Sequence, residues 1–199
     1  KISNAAMEPE IVDLAKFLNK MGAKIEGAGT NIIKITGVEK LKDVSYSIMP
    51  DRIEAGTLLC AVAITGGKVK LNKVIPEHIN QILNKLEQTG CEIKIENKCV
   101  CLKAPKKIKA VDIKTMPYPG FPTDMQSVFA SILTIAKGNS VIVENIFENR
   151  YKYVSELKRM GAKITVEGRI AVIKGCKKLS GATVESTDLR GGAALVVAG

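Results

Sequence analysis

Three segments of this chain repeat one another. Lys20-Met21-Gly22-Ala23-Lys24-Ile25, Gln88-Thr89-Gly90-Cys91-Glu92-Ile93 and Arg159-Met160-Gly161-Ala162-Lys163-Ile164 share one pattern, with glycines spaced 68 and 71 residues apart. A period of about 70 residues restricts the chain to stacked copies of one supersecondary unit. Ahead of each glycine, apolar residues fall at helical intervals: Ile11, Leu14, Leu18, Met21; Ile79, Ile82, Leu83, Leu86; Val154, Leu157, Met160. Each glycine is placed to end its helix, because it takes the left-handed conformation without a Cβ penalty. Two short alternating strands then follow, 91–95 with 99–102 and 163–166 with 170–173, which predicts β-hairpins.

A second element recurs between those units. Asp51-Arg52-Ile53-Glu54-Ala55-Gly56-Thr57, Thr123-Asp124-Met125-Gln126 and Thr187-Asp188-Leu189-Arg190 each set an acid at the mouth of an apolar, small-residue helix, with aspartates 73 and 64 residues apart. Aspartate suits such a position because its carboxylate accepts the orphan N–H groups of the first turn. By this reading Asp124 caps a helix over 125–136. Helices as apolar as 58–64, 132–136 and 193–198 must be buried on most sides. The first two close on Gly66-Gly67 and Gly138, and strands 68–71 and 140–143 follow. The unit therefore reads as helix, hairpin, further strand, buried helix, strand. It is long for a solenoid repeat, and sheets outside with helices inside fit it better.

Composition removes several functions. With 46% apolar and 25% charged residues in 199, the chain is globular rather than disordered. Its longest apolar runs, 58–64 and 193–198, fall far short of the ~20 residues of a spanning helix, and no signal peptide opens it. The five cysteines (Cys60, Cys91, Cys99, Cys101, Cys176) form no CxxC pair and lie mostly in apolar stretches, as reduced core thiols of a cytoplasmic protein do. A single histidine, His78, excludes an intrachain Ser/His/Asp triad and any multi-histidine metal site; at a helix start it reads as a partly exposed first-turn residue. The net charge of +10 implies attraction to anions: nucleic acid, acidic membrane or a phosphorylated small molecule. Aromatics at 4%, without tryptophan, argue against stacking on bases. The densest lysine runs, Lys106-Lys107 with Lys109 and Lys177-Lys178, read as solvated turn charges. A start without methionine and a stop after Leu195-Val196-Val197-Ala198 suggest a fragment.

Five motifs carry a resemblance: Asn4-Ala5-Ala6-Met7-Glu8-Pro9-Glu10-Ile11, Met49-Pro50-Asp51-Arg52-Ile53-Glu54-Ala55-Gly56-Thr57, Phe121-Pro122-Thr123-Asp124-Met125-Gln126, Phe147-Glu148-Asn149-Arg150-Tyr151 and Thr187-Asp188-Leu189-Arg190. In order and over essentially the whole chain, they resemble the enolpyruvyl transferases, in particular the branch acting on UDP-N-acetylglucosamine. The resemblance implies an inside-out α/β barrel of ~70-residue repeats, incomplete here, which agrees with the period found independently. Residues 1–46 would be the tail of one barrel and 47–199 most of a second, truncated at its C-terminus. The implied activity is transfer of the enolpyruvyl group of phosphoenolpyruvate to the 3-hydroxyl of UDP-N-acetylglucosamine with release of phosphate, the first committed step of peptidoglycan synthesis.

By resemblance, Asp124 is the aspartate that bonds the sugar hydroxyl and takes its proton. Ile146 contacts the nucleotide sugar through its backbone, and Arg150 and Arg190 lie near phosphoenolpyruvate. A guanidinium suits that work because it stays charged and forks onto carboxylate or phosphate oxygens. Thr123 and Glu148 are secondary candidates, the latter for protonating the methylene carbon or positioning the donor. Glu8, Glu10 and Arg52 match charged residues near the junction of the family's two domains. Neither cofactor nor metal is implied. The partners are the two small substrates, without nucleic acid or membrane, and the parent protein would be a monomer. The family's mobile loop with its reactive cysteine, its amino-terminal Lys-Asn pair and a further phosphoenolpyruvate-binding arginine have no counterpart here, so the chain alone is expected to be inactive. Two alternatives stand beside this reading. The shikimate-pathway enolpyruvyl transferase carries a Lys-Glu-x-Asp-Arg pattern where this chain has Phe147-Glu148-Asn149-Arg150, and a basic, non-catalytic repeat module would bind nucleic acid.

Overall fold

The computed structural model describes Lys1–Gly199. It divides into two compact units, Lys1–Pro50 with Pro117–Pro119, and Asp51–Met116 with Gly120–Gly199.

In the smaller unit, strand β1 (Ile2–Ser3) precedes helix α1 (Pro9–Lys20), and the hairpin β2 (Lys24–Glu26) and β3 (Ile32–Thr36) follows. The sheet order is β1-β3-β2, antiparallel throughout. Gly22 follows the helix at φ +105°, the left-handed turn read from the repeat. Asn19 then ties helix to strand: its Oδ1 accepts from Ile25 N at 2.8 Å and its Nδ2 donates to Ile25 O at 2.7 Å.

The larger unit runs through the wiring twice. Helix α2 (Arg52–Thr65) leads to β4 (Lys68–Asn72), then α3 (Asn80–Gln88) and the hairpin β5 (Glu92–Glu96) and β6 (Cys99–Lys103). After the short β7 (Ile113–Lys114) come α4 (Gln126–Leu133), β8 (Asn139–Val143), α5 (Val154–Arg159) and the hairpin β9 (Lys163–Glu167) and β10 (Ile170–Lys174). Helix α6 (Leu189–Ala198) starts a third pass. The sheets have orders β4-β6-β5 and β7-β8-β10-β9. Their registers correspond: Lys68 faces Lys103 as Asn139 faces Lys174. The strand after each buried helix thus joins the hairpin that follows it. The further strand expected in each unit exists only as the two-residue β7, which pairs parallel with β8. Gly90 and Gly161, at φ +101° and +92°, close α3 and α5 as Gly22 closes α1.

Helices α2, α4 and α6 pack on one another. All eight residues of α4 are buried, and Phe129 meets Phe121 edge-on, centroids 5.4 Å apart. Burial of each large apolar side chain contributes roughly 1.5–3 kcal/mol. The serines of α4 serve the packing too: Ser127 Oγ donates to Arg190 O at 2.9 Å and Ser131 Oγ to Ala194 O at 2.7 Å. Gly56 permits the close approach of α2, since a Cβ there would lie 2.9 Å from Met125 Sδ and 3.0 Å from Ile82 Cδ1, both in side chains with no exposure.

One helical expectation needs correction. Helix α4 ends at Leu133 rather than near 136, because Thr134 turns back, its Oγ1 donating to Ser131 O at 2.6 Å, and the chain then reaches Gly138 at φ +120°. Helix α6 is buried on most sides, as its apolar run requires: Ala194, Leu195 and Val197 are buried, and within 193–198 only Val196, at 81%, is exposed. No helix is long and apolar enough to cross a membrane. All five cysteines are free; Cys60 and Cys91 are buried, and burial pushes the Cys60 thiol far up. His78 sits half-buried in the 3₁₀ turn Pro76–Ile79.

Candidate active site

Two parallel strands set the site. β7 and β8 end at the same level, so Thr115 and Glu144 emerge side by side just beyond their last paired residues, Lys114 and Val143. Thr115 Oγ1 donates to Glu144 Oε1 at 2.8 Å and accepts from Asn145 N at 2.8 Å. The chain then turns sharply, and the same Oε1 accepts from Ile146 N at 2.8 Å and Phe147 N at 3.0 Å. Glu144 Oε2 accepts from Thr123 Oγ1 at 3.0 Å. The glutamate is 1% exposed, and these four donors satisfy it.

Thr123 opens the 3₁₀ turn Thr123–Met125 that leads into α4. Its hydroxyl accepts from Arg150 Nε at 3.2 Å, and Arg150 Nη2 donates to Asp124 Oδ1 at 2.8 Å. The Arg150 guanidinium carbon also lies 4.8 Å from the centroid of the Phe147 ring. From the start of α6, Arg190 Nε donates to the same Asp124 Oδ1 at 3.2 Å. Two guanidinium groups therefore share one carboxylate oxygen. Side-chain exposure is 10% for Arg150, 27% for Arg190 and 37% for Asp124, so the cluster opens to solvent on the aspartate side.

The three repeat aspartates diverge here. Asp51 caps α2, accepting from Ile53 N at 2.7 Å and Glu54 N at 3.1 Å, and Asp188 caps α6, accepting from Gly191 N at 2.7 Å. Asp124 caps nothing. The 3₁₀ turn carries it ahead of α4, no side chain caps that helix, and the arginines claim its carboxylate instead. The capping role read for Asp124 is thereby corrected.

Thr123 and Asp124, with Arg150 and Arg190 from distant parts of the sequence, thus form one hydrogen-bonded cluster. Ile146 lies in the turn after β8 rather than within a strand, with its N–H on Glu144 and the residue 43% exposed. Glu148 is exposed on the following residues and makes none of the cluster's contacts. Arg150, which without the resemblance would read as a surface residue, is 9% exposed. Glu144 and Thr115 escape a reading of the sequence: Val141-Ile142-Val143-Glu144-Asn145 looks like a strand with a polar exit. The one available signal was an acid directly after an apolar strand, which is too common to single out.

Beneath the cluster, Tyr153 OH donates to Gln126 Oε1 at 3.1 Å, and burial holds the Tyr153 hydroxyl well above the usual phenol range. Tyr151 OH reaches Ile142 O at 3.0 Å and Arg169 O at 3.1 Å, and burial pushes its pKa up to about 12. Elsewhere in the larger unit, Lys106, Lys107, Lys137 and Lys177 border a cavity of about 610 Å³ beside the C-terminal ends of α2 and α4.

Chemically, the cluster offers a solvent-facing carboxylate beside two fixed cations. It suits a ligand that brings an anion and a hydroxyl together.

Known proteins resemble the chain in sequence and in chain path. The sequence model of the EPSP synthase (3-phosphoshikimate 1-carboxyvinyltransferase) family matches residues 1–199. UDP-N-acetylglucosamine 1-carboxyvinyltransferase 1 of Caldanaerobacter subterraneus is 58% identical over 198 residues, covering 100% of this chain and 48% of the relative. The UDP-N-acetylglucosamine 1-carboxyvinyltransferase of Trichlorobacter lovleyi is also 58% identical over 198 residues, covering 100% of this chain and 47% of the relative. The chain thus spans about half the length of the curated relatives it matches. Among solved structures, the enolpyruvyl transferase NikO from Streptomyces tendae superposes with a TM-score of 0.82 at 24% identity, over 98% of this chain and 47% of that one. An EPSP synthase from Acinetobacter baumannii gives 0.71 at 21% identity, over 92% and 46%. These likenesses give the fold: mixed α/β sheets around apolar helices, as in part of an enolpyruvyl transferase. With its whole length matched, the chain belongs to the EPSP synthase family of enolpyruvyl (1-carboxyvinyl) transferases.

Proposed function

We infer that this sequence is part of a transferase that moves the enolpyruvyl group of phosphoenolpyruvate to the 3-hydroxyl of UDP-N-acetylglucosamine, releasing phosphate. One observation carries the reading: Asp124, Arg150 and Arg190 meet at a single carboxylate oxygen at the open edge of the unit. The names of the relatives at 57–58% identity support the choice of substrate over the shikimate-pathway alternative. Residues 1–46 would belong to one barrel and 47–199 to most of the other, with the remaining walls of the site supplied by the rest of the full-length protein.

In this mechanism the sugar hydroxyl hydrogen-bonds Asp124, which accepts its proton as the oxygen adds to C2 of phosphoenolpyruvate while C3 gains a proton. Loss of a proton from C3 then expels phosphate from the tetrahedral intermediate and regenerates the double bond. Arg150 and Arg190 hold the phosphate or carboxylate of the donor, and the anion takes over the charge that Asp124 satisfies in its absence. Ile146 supports the nucleotide sugar through its backbone. Glu148, on the exposed turn before Arg150, is the secondary candidate for the proton at C3. We place the protein in the cytoplasm, as a monomer engaged with small molecules rather than nucleic acid or membrane, in cell-wall synthesis.

The test is Asp124→Asn in the full-length protein. Turnover falls by ~10²–10⁴ with the fold intact, the usual loss for a general base. Near-normal turnover removes Asp124 from this role. Nucleic-acid affinity that drops steeply with salt, without saturable binding of UDP-N-acetylglucosamine, would favour the non-catalytic module instead.

A further inference from the structure

Glu144 lies behind the cluster, 1% exposed, yet it governs the direction of the hydrogen bonds in front. Its Oε1 is fully used by Thr115 Oγ1, Ile146 N and Phe147 N at 2.8, 2.8 and 3.0 Å. That leaves Oε2 for Thr123 Oγ1 at 3.0 Å. A carboxylate with this set of donors acts only as an acceptor, so the Thr123 hydroxyl must point its proton at Glu144. The threonine lone pairs are then turned toward Arg150, whose Nε donates to them at 3.2 Å. With its inner edge held, the guanidinium presents Nη2 to Asp124 at 2.8 Å. Arg150 is thus anchored by a hydroxyl whose orientation a third, buried residue dictates.

We propose that Glu144 is a positioning residue for the donor site: acting through the Thr123 hydroxyl, it fixes the reach of Arg150 toward the anion of phosphoenolpyruvate. The inference rests on the transferase reading above and adds a buried residue that acts through another. Glutamine in its place keeps an oxygen over Thr115, Ile146 and Phe147 but sets an amide N–H₂ against Thr123. The hydroxyl proton then has to turn away from residue 144, nothing holds it off the guanidinium side any longer, and the lone pair offered to Arg150 loses its fixed direction.

The experiment is steady-state kinetics of Glu144→Gln in the full-length protein, with thermal unfolding of the same sample. The KM for phosphoenolpyruvate is expected to rise about tenfold or more, the scale of a misplaced binding group, while the Kd for UDP-N-acetylglucosamine changes by less than about twofold. Thr123→Val should reproduce the effect, and the double variant should be no worse than the worse single one, because both act through one hydroxyl. A role in folding alone would lower the melting temperature and the yield of active protein but leave both constants at their wild-type values, which overturns the proposal. Additive effects in the double variant also overturn it. Should Glu144→Gln fail to fold, Thr123→Val decides, and an unchanged KM there is fatal. A wild-type protein without transfer activity defeats the transferase reading and this inference with it; normal wild-type turnover with unchanged variant constants defeats this inference alone.

Discussion

Exchanging the repeat aspartates one at a time for alanine should separate a capping acid from a site acid. At Asp51 the loss is a cap: two backbone N–H groups, those of Ile53 and Glu54, lose the carboxylate oxygen at 2.7 and 3.1 Å. Caps of this kind are worth about 1 kcal/mol, within roughly 0.5–2. For a chain of this size that lowers the melting temperature by about 2–4 °C per kcal/mol. At Asp124 no backbone donor is orphaned; what disappears is the shared partner of Arg150 and Arg190. The contact to Arg190, with both side chains more than a quarter exposed, contributes about 0–1 kcal/mol. The contact to Arg150 counts for more, because that side chain is 10% exposed, although Thr123 and Phe147 still hold it. The totals therefore overlap with the cap, and what distinguishes them is their response to ions. The Asp51 effect should be nearly independent of salt. The Asp124 effect should shrink in high salt and be largely offset by inorganic phosphate, which can occupy the freed guanidinium pair. Thermal unfolding followed by circular dichroism, at low salt, at high salt and with phosphate, makes the comparison. Equal salt and phosphate responses for the two variants would refute the assignment of different roles.

Three further outcomes are expected. Arg150→Lys in the full-length protein should weaken use of phosphoenolpyruvate more than binding of UDP-N-acetylglucosamine, since lysine keeps the charge but loses the fork; separate titrations of each substrate check it, and a fall confined to the sugar nucleotide counts against the assignment. Cys60, fully buried with its thiol pKa driven up, should resist alkylation in the native chain while half-exposed Cys99, Cys101 and Cys176 react, as mass mapping of the labelled peptides would show. Tyr151, with its pKa pushed up to about 12 by burial, and Tyr153, raised further, favour the neutral phenol in the folded state. Their contribution to stability is complete below the unfolded phenol value of about 10 and is lost as pH rises toward and past 12, so alkaline unfolding monitored by phenolate absorbance should be steep in that window.

What could be read from the sequence was what local rules decide. Gly22, Gly90 and Gly161 announce their turns because a left-handed residue is needed wherever these helices end, and the hairpins after them follow from alternation. The boundary of α4 was misjudged because Ile135 and Ala136 continue an apolar run that the Thr134 hydroxyl interrupts. Asp124 illustrates the limit more sharply. Its local context matches those of Asp51 and Asp188, and only the arrival of Arg150 and Arg190, 26 and 66 residues away, gives its carboxylate different partners. The motif resemblance pointed to these residues; spacing and charge alone did not. Glu144 was invisible to both routes, since its burial depends on three separate stretches converging on it. The lysine runs at 106–107 and 177–178 are exposed, as read, but the meeting of Lys106, Lys107 and Lys177 around one cavity is a fact of tertiary structure.

The two serine contacts between α4 and α6 have a bearing on how accurately the site is set. Ser127 to Arg190 and Ser131 to Ala194 share an offset of 63 residues, so the two helices run in the same direction at this contact and are fixed at two points one turn apart. A slide of α6 by a single residue would displace it by about 1.5 Å and rotate it by about 100°. Both serine bonds would break together, and Arg190 would swing away from Asp124, which it now reaches at 3.2 Å. The hydroxyls of this buried helix thus act as a vernier: they index α6 along its axis, so that the distance between two charges at the rim is set by hydrogen bonds made inside the core.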